Sequence, residues 1–302
     1  MTQSPPDDDP APLTLHTFTF GKQSLIVECR KTLNQTNNFR LTVQCEHRDI
    51  WESLRDFGGC LPSSDDDDTD CDTNRVYDTP PPQQQEQRQP DLLGLDIWPA
   101  AIELCNYLSN HPTLVTAAPR CLELGAGVGL PGLLAAKLSP TTHVVLTDYE
   151  PQVVAHVARN ASLNNLPSPK QLSGLCLDWT KLPLLPPHHC HAYPLLLAAD
   201  VLYIADIMPG FVDAVDALLA PSLGRVIIGH QTRRALVLDE TKTPVMVDDD
   251  VAFREFQKLC QAKGLVLREL GQRESPFFPG PMLLIALGRR EEDVQDLPPA
   301  FL

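Results

Sequence analysis

The chain predicts an α/β fold: a mostly parallel sheet of about seven strands, helices on both faces and an antiparallel hairpin at one edge. Three observations predict it. From Ile97 onward, short apolar runs alternate with helical stretches of about 10 to 15 residues. The run Cys121-Leu122-Glu123-Leu124 passes directly into Gly125-Ala126-Gly127-Val128-Gly129. The next strand-like run, Val145-Leu146-Thr147, ends on Asp148, 23 residues after Gly125.

In chain order, Leu13–Phe20 and Ser24–Cys29 alternate and flank Gly21-Lys22, which reads as a hairpin, with Phe39–Glu46 as a further strand. Residues 61–90 contain consecutive runs of four aspartates, three prolines and three glutamines, a composition that cannot bury enough apolar area to offset its ordering entropy. A disordered insertion is expected there, with an acidic docking segment as the other reading. Helices are expected over Ile97–Leu108, Pro131–Leu138, Pro151–Asn164, Ile204–Leu219 and Asp250–Lys263. Strands are expected over Arg120–Leu124, His143–Thr147, Leu172–Leu177, Leu195–Ala199, Gly224–Gly229, Leu265–Leu270 and Met282–Leu287, the last two forming the edge hairpin. The organisation is therefore 1–12 disordered, 13–60 an N-terminal β extension, 61–90 the insertion, 91–288 the main domain and 289–302 a tail.

The formal charge of −15 is concentrated in the insertion and the two termini, which leaves about −4 for the folded body. No basic stripe is present to neutralise phosphates, so nucleic acid is not expected as the main partner. Nine cysteines occur without a CxxC pair, several inside apolar runs, and reduced buried thiols suit cytosol or nucleus. Residues 1–12 are polar and acidic rather than an apolar leader, and no apolar run reaches ~18 residues, so neither secretion nor a membrane span is expected. A monomer is expected. His188-His189-Cys190-His191 follows two prolines and has no second ligand cluster, so it reads as a surface loop and no metal site is expected.

Glycines after a strand let backbone approach a ligand where any side chain would collide, and the following helix offers unpaired N–H groups. An acid ending the next strand can accept hydrogen bonds from ribose hydroxyls. The turn alone does not choose a cofactor, because Gly127, Gly129 and Gly132 also satisfy the spacing of nicotinamide-dinucleotide folds. Glu123 tilts the choice: Glu123-Leu-Gly125-Ala-Gly127-Val-Gly129 resembles the first motif of class I S-adenosyl-L-methionine-dependent methyltransferases. Leu95-Asp-Ile-Trp98, Leu177-Asp178-Trp179 and Ala199-Asp200-Val201-Leu202-Tyr203 extend the likeness. Together these motifs resemble the seven-β-strand protein methyltransferases of family 16, most of which modify lysine, and the likeness runs from about Leu13 to Leu287.

The resemblance implies a Rossmann-like sheet, S-adenosyl-L-methionine as cofactor and a protein substrate. It implies that Trp98, Gly125, Ala126, Gly127, Asp148, Trp179 and Ala199 contact the cofactor, with Glu123 at its methionine end. Asp178 suits the adenine amino group and Trp179 offers an indole face beside adenine. Asp200 and Tyr203 are the expected acceptor-side residues. The plainer readings are core packing for Trp98 and Trp179, a solvated strand end for Asp178 and a helix N-cap for Asp200. For Arg233 and Arg234 the two readings are contact with an acidic partner surface and solvated loop charge. Transfer to protein histidine, nucleic acid or a small molecule, a non-catalytic cofactor-holding module, and a nicotinamide-dependent oxidoreductase are the competing functions.

Overall fold

The computed structural model describes residues 13–29, 93–166, 171–238, 244–247, 249–275 and 280–301. The expected strand Phe39–Glu46, residues 1–12 and the insertion lie outside them. Strands β1 (Thr14–Phe20) and β2 (Gln23–Cys29) form the expected hairpin. Helix α1 (Pro99–Asn110) and the short α2 (Thr113–Thr116) precede β3 (Arg120–Leu124). Then come α3 (Leu130–Leu138), β4 (His143–Asp148), α4 (Pro151–Leu163), β5 (Leu172–Cys176) and β6 (Leu195–Ala199). Helix α5 (Met208–Leu218), β7 (Arg225–Gln231), the small pair β8 (Ala235–Leu238) and β9 (Pro244–Val247), and α6 (Val251–Ala262) follow. Strands β10 (Val266–Glu274) and β11 (Pro281–Gly288) and helix α7 (Glu291–Val294) end the series.

Seven strands form one sheet in the order β10-β11-β7-β6-β3-β4-β5. The five from β7 to β5 are parallel, and β11 runs antiparallel between β7 and β10. Strand order reverses between β3 and β6, which opens a crevice beyond their carboxyl ends, the place where such sheets bind ligands.

The strands alternate their buried side chains between two cores. Cys121, Leu195, Leu197 and Ile227 join a core covered by α1, α3, α4 and the N-terminal hairpin, while Leu122, Leu196, Val226 and Ile228 face α5 and α6. The hairpin is tied down by polar contacts as well as by Phe20, Leu25 and Val27. Asn164 Oδ1 accepts from Ile26 N and its Nδ2 donates to Ile26 O, so one side chain pairs with β2 as a neighbouring strand would. The expected tail, residues 289–302, packs into the first core through Val294, Leu297 and Ala300, and Tyr107 Oη donates to Pro298 O.

Two helices start later than apolar spacing suggested, α1 at Pro99 and α5 at Met208. Trp98, the residue before Pro99, is extended, as the residue before a proline prefers, whereas Met208 before Pro209 is helical. Ile97 and Trp98 therefore stay outside α1, and residues 205–207 form a separate 3₁₀ turn. The β8–β9 pair was not foreseen. Among the described residues no helix is long and apolar enough to cross a membrane.

Candidate active site

The glycine loop between β3 and α3 needs its glycines. Gly125, Gly127 and Gly129 have φ of +63°, +53° and +83°, a region that costs other residues roughly 1–2 kcal/mol. A methyl on Gly125 would lie 2.8 Å from Val201 Cγ1 and 3.4 Å from the Trp179 ring, and one on Gly127 would lie 2.7 Å from Gly94 O. Trp179 and Val201 therefore press against the loop at Gly125, and Gly94 lies against it at Gly127.

Both predicted acids of this half are buried and hold backbone. Glu123 Oε2 accepts from Gly132 N in the first turn of α3 at 2.8 Å. Burial pushes the Glu123 carboxyl up to about 8, against the lowering effect of that amide and with a smaller push from Asp148. Asp148 Oδ2 accepts from Gly127 N and its Oδ1 from Glu150 N, both at 3.1 Å, so the residue expected at a ribose also fixes the loop that would approach it. Ala126 N donates to Thr147 O, Thr147 Oγ1 donates to Glu123 O and Asn160 Nδ2 donates to Val128 O, which closes a rigid frame around the two strand ends.

Asp178 and Trp179 lie next to one another but differ in their engagements. Asp178 caps the 3₁₀ turn that follows it, accepting from Thr180 N, Thr180 Oγ1 and Lys181 Nζ at 2.9, 2.6 and 2.8 Å. Burial raises its carboxyl, but Lys181 and Thr180 outweigh that and hold it below the usual range. It is thus a capped turn rather than the solvated strand end of the plainer reading. Trp179 is half-buried with its ring edge on Phe211, 5.0 Å between centroids. A hollow of about 250 Å³ lined by Tyr149, Leu177, Asp178 and Lys181 adjoins them.

Across the crevice, Ala199 ends β6 and Asp200 follows in a left-handed conformation, φ +59°. Asp200 caps no helix: Ile204 and Ile207 occupy the cap positions of the next two. Its carboxylate is buried and pairs through Oδ2 with Arg233 Nη2 at 2.9 Å. The Arg233 guanidinium lies 5.5 Å from the centre of the Tyr203 ring and 5.9 Å from that of Trp98, inside the range of cation–π attraction. Arg233, read from the sequence as a partner contact or a solvated loop charge, turns inward onto Asp200 instead. Trp98 also stands at the entry to α1, its Nε1 donating to Leu93 O at 3.4 Å.

A second pair behind Arg233 went unforeseen. Asp250 Oδ2 accepts from Arg233 N and from His230 Nε2, each at 2.9 Å, while Oδ1 caps α6 at Phe253 N. Burial raises the Asp250 carboxyl, and His230 with the two amides outweighs it. No local motif marks this arrangement, because 18 residues, 232–249, separate Asp250 from β7 in the chain. The histidine-rich loop differs from expectation in one respect: His189 is buried, its ring stacked on Tyr193 at 5.8 Å.

Relatives carry matching names. A protein-lysine N-methyltransferase EFM3 of Chaetomium thermophilum is 30% identical over 148 residues, covering 47% of this chain and 44% of the relative. EEF1A lysine methyltransferase 3 of Xenopus tropicalis is 32% identical over 128 residues, 41% of this chain and 52% of its own. Histone-arginine methyltransferase METTL23 of Homo sapiens is 36% identical over 112 residues, 35% and 54% respectively. The chain thus spans about half the length of the curated relatives it matches. Residues 82–241, more than half of the 302 in the chain, match the profile of the family described as lysine methyltransferase, and the glycine frame, Asp148 and the Asp200 to Tyr203 segment lie within that stretch: this chain belongs to the lysine methyltransferase family.

Proposed function

We propose that this protein transfers a methyl group from S-adenosyl-L-methionine to the side-chain amine of a lysine in a protein substrate. One observation carries the reading: the glycine cradle and the acceptor-side segment abut, since Val201, the residue after Asp200, is what a side chain on Gly125 would strike. A donor resting on the cradle would therefore adjoin the segment that carries Asp200. The residues present fit that donor. The cradle is free of side chains at Gly125 and Gly127, a buried acid ends the next strand, and an indole stands beside the loop.

When bound, S-adenosyl-L-methionine supplies an electrophilic methyl carbon on a sulfonium. The chain's own part is alignment and electrostatics. A lysine amine is protonated in water, with a pKa near ~10.4, and must lose that proton to solvent before its lone pair can form the N–C bond. The S–C electron pair then stays on sulfur. Asp200 accepts a hydrogen bond from the incoming nitrogen and aims it, while Trp98 and Tyr203 flank its path and exclude water. The cytosolic or nuclear setting expected from the cysteine pattern belongs to the same proposal.

The test is calorimetric titration of the purified chain with S-adenosyl-L-methionine, then transfer of labelled methyl into a cell extract, with mass spectrometry of the labelled residue. Binding and one methyl-lysine site are expected. Binding with label on arginine or histidine would move the acceptor, and a folded chain that binds no S-adenosyl-L-methionine would overturn the reading.

A further inference from the structure

The pairing of Asp200 with Arg233 is half complete on both sides. Oδ2 and Nη2 meet at 2.9 Å, yet Asp200 Oδ1 and Arg233 Nη1 are buried with no partner among the described residues. Gln231 Oε1, two residues before Arg233, is buried and unpartnered in the same way. Leaving buried polar atoms unpaired is costly, so such a group marks a place where another molecule completes the bonding.

A carboxylate facing an amine does two opposed things. It orients the nitrogen, and it stabilises the ammonium form, which has no lone pair to donate. A guanidinium on the second carboxylate oxygen leaves the orienting bond in place and offsets the charge. Arginine suits this task because it does not deprotonate in proteins and its planar fork is held between two rings.

Resting on the acceptor site proposed above, we propose that Arg233 is the charge-balancing and positioning residue of that site: it fixes Asp200 through Oδ2, leaves Oδ1 to the acceptor amine, and favours the amine's neutral, nucleophilic form. The other titratable groups against the pair are Asp250 at the start of α6, which accepts from Arg233 N, His230 on β7, which bonds to Asp250, and Tyr203 after β6, whose ring faces the guanidinium. Asp250 and His230 bond to each other, and Asp250 reaches Arg233 only through its backbone N. Replacing the Arg233 side chain therefore leaves that pair in place.

The experiment compares wild type, Arg233→Gln, Arg233→Lys and the neutral double variant Asp200→Asn with Arg233→Gln. The first readout is the initial rate of methyl transfer into the labelled extract protein, at saturating acceptor, where the rate follows the amine as bound, between about pH 6.5 and 9.5. The second needs no turnover: binding of n-butylamine, followed by NMR near pH ~7 with S-adenosylhomocysteine present. Arg233→Gln is expected to move the rising limb upward by about one pH unit and to bind butylammonium about tenfold more tightly, because the carboxylate is then uncompensated. Arg233→Lys is expected to keep the wild-type limb. The double variant carries no unpaired buried charge and is expected to bind butylammonium no more tightly than wild type, a readout that needs no turnover. A limb that stays in place in Arg233→Gln while the rate merely scales would overturn the proposal, as would tighter butylammonium binding by the double variant or a faster Arg233→Gln enzyme at neutral pH. Wild type that binds S-adenosyl-L-methionine but labels no protein would sink the underlying lysine reading instead, and this inference with it.

Discussion

The two halves of the crevice are built on opposite rules. Around β3 and β4 the acids are consumed by backbone: Glu123 holds the start of α3, and Asp148 holds the glycine loop and Glu150. None of the orphaned buried polar atoms falls on Glu123, Thr147, Asp148 or Asn160. Toward the carboxyl ends of β6 and β7 four such atoms gather, on Asp200, His230, Gln231 and Arg233. A frame whose polar groups are already paired is rigid without a ligand, and preorganisation of that kind suits a molecule that is the same at every turnover. A half-paired cluster gains its full hydrogen bonding only when something arrives. On the proposed function, the first half serves an invariant donor and the second a variable acceptor.

The comparison breaks most directly at Asp200. If the halves are separate, Asp200→Ala should cut methyl transfer by about a hundredfold to a thousandfold, as loss of one oriented polar group does in other active sites, while calorimetry finds S-adenosyl-L-methionine affinity within about twofold of wild type. A parallel loss of cofactor affinity would show that the two rims act as one site. Asp148→Ala is the mirror experiment. It removes the carboxylate expected to accept from the ribose hydroxyls, a charge-assisted bond worth roughly 1.5–3 kcal/mol, together with the two acceptors that hold the loop, so a fall in cofactor affinity of about thirtyfold is expected. Unchanged affinity would remove Asp148 from the donor half.

The same division decided what could be read from the sequence. The donor half is local: Glu123, the glycines and Asp148 lie within one strand–turn–helix–strand unit, and each is demanded by backbone geometry that glycine spacing advertises. The mostly parallel sheet and its antiparallel edge pair were legible for the same reason, since alternation of strands and helices constrains topology, whereas the strand order was not read. The acceptor half is assembled from β6, β7 and the start of α6. Asp200 and Tyr203 stood out as a motif, but Arg233 was seen only as a surface charge and Asp250 only as a helix start. A contact between residues 33 apart in sequence leaves no spacing to find. The β8–β9 pair escaped because its two runs are four residues each, too short for alternation to register.

Glu123 allows the donor frame to be tested without any ligand. Its carboxyl is raised by burial to about 8 in the folded protein, above the usual carboxylate range. Below the unfolded value both states hold the proton and no penalty arises. As pH rises, the unfolded chain loses its proton first, so this group's contribution to stability falls until the folded carboxyl also ionises near pH 8, and is level above it. The stability difference between wild type and Glu123→Gln is therefore expected to move against wild type between about pH 5 and 8, by up to about 1.4 kcal/mol per pH unit. Gln keeps an oxygen for Gly132 N. Urea unfolding of both proteins across that window measures it, and parallel pH curves would mean that Glu123 is already ionised in the free protein.

The smallest effect is expected at Tyr203, and it separates the ring from the hydroxyl. Tyr203 is 39% exposed, so losing its side chain removes little buried area. Its ring sits 5.5 Å from the Arg233 guanidinium, an attraction of about 0.5–1 kcal/mol at a partly exposed site. Tyr203→Phe keeps a ring face of similar quadrupole and should leave stability within about 0.3 kcal/mol of wild type, whereas Tyr203→Leu should lose about 0.5–1 kcal/mol in urea unfolding. The same order is expected in transfer rate, because a guanidinium freed of one wall no longer holds Asp200 in one orientation. If Tyr203→Phe instead loses activity as severely as Asp200→Ala, the hydroxyl takes part in the acceptor's bonding and the cluster to be completed is larger than the Asp200 and Arg233 pair.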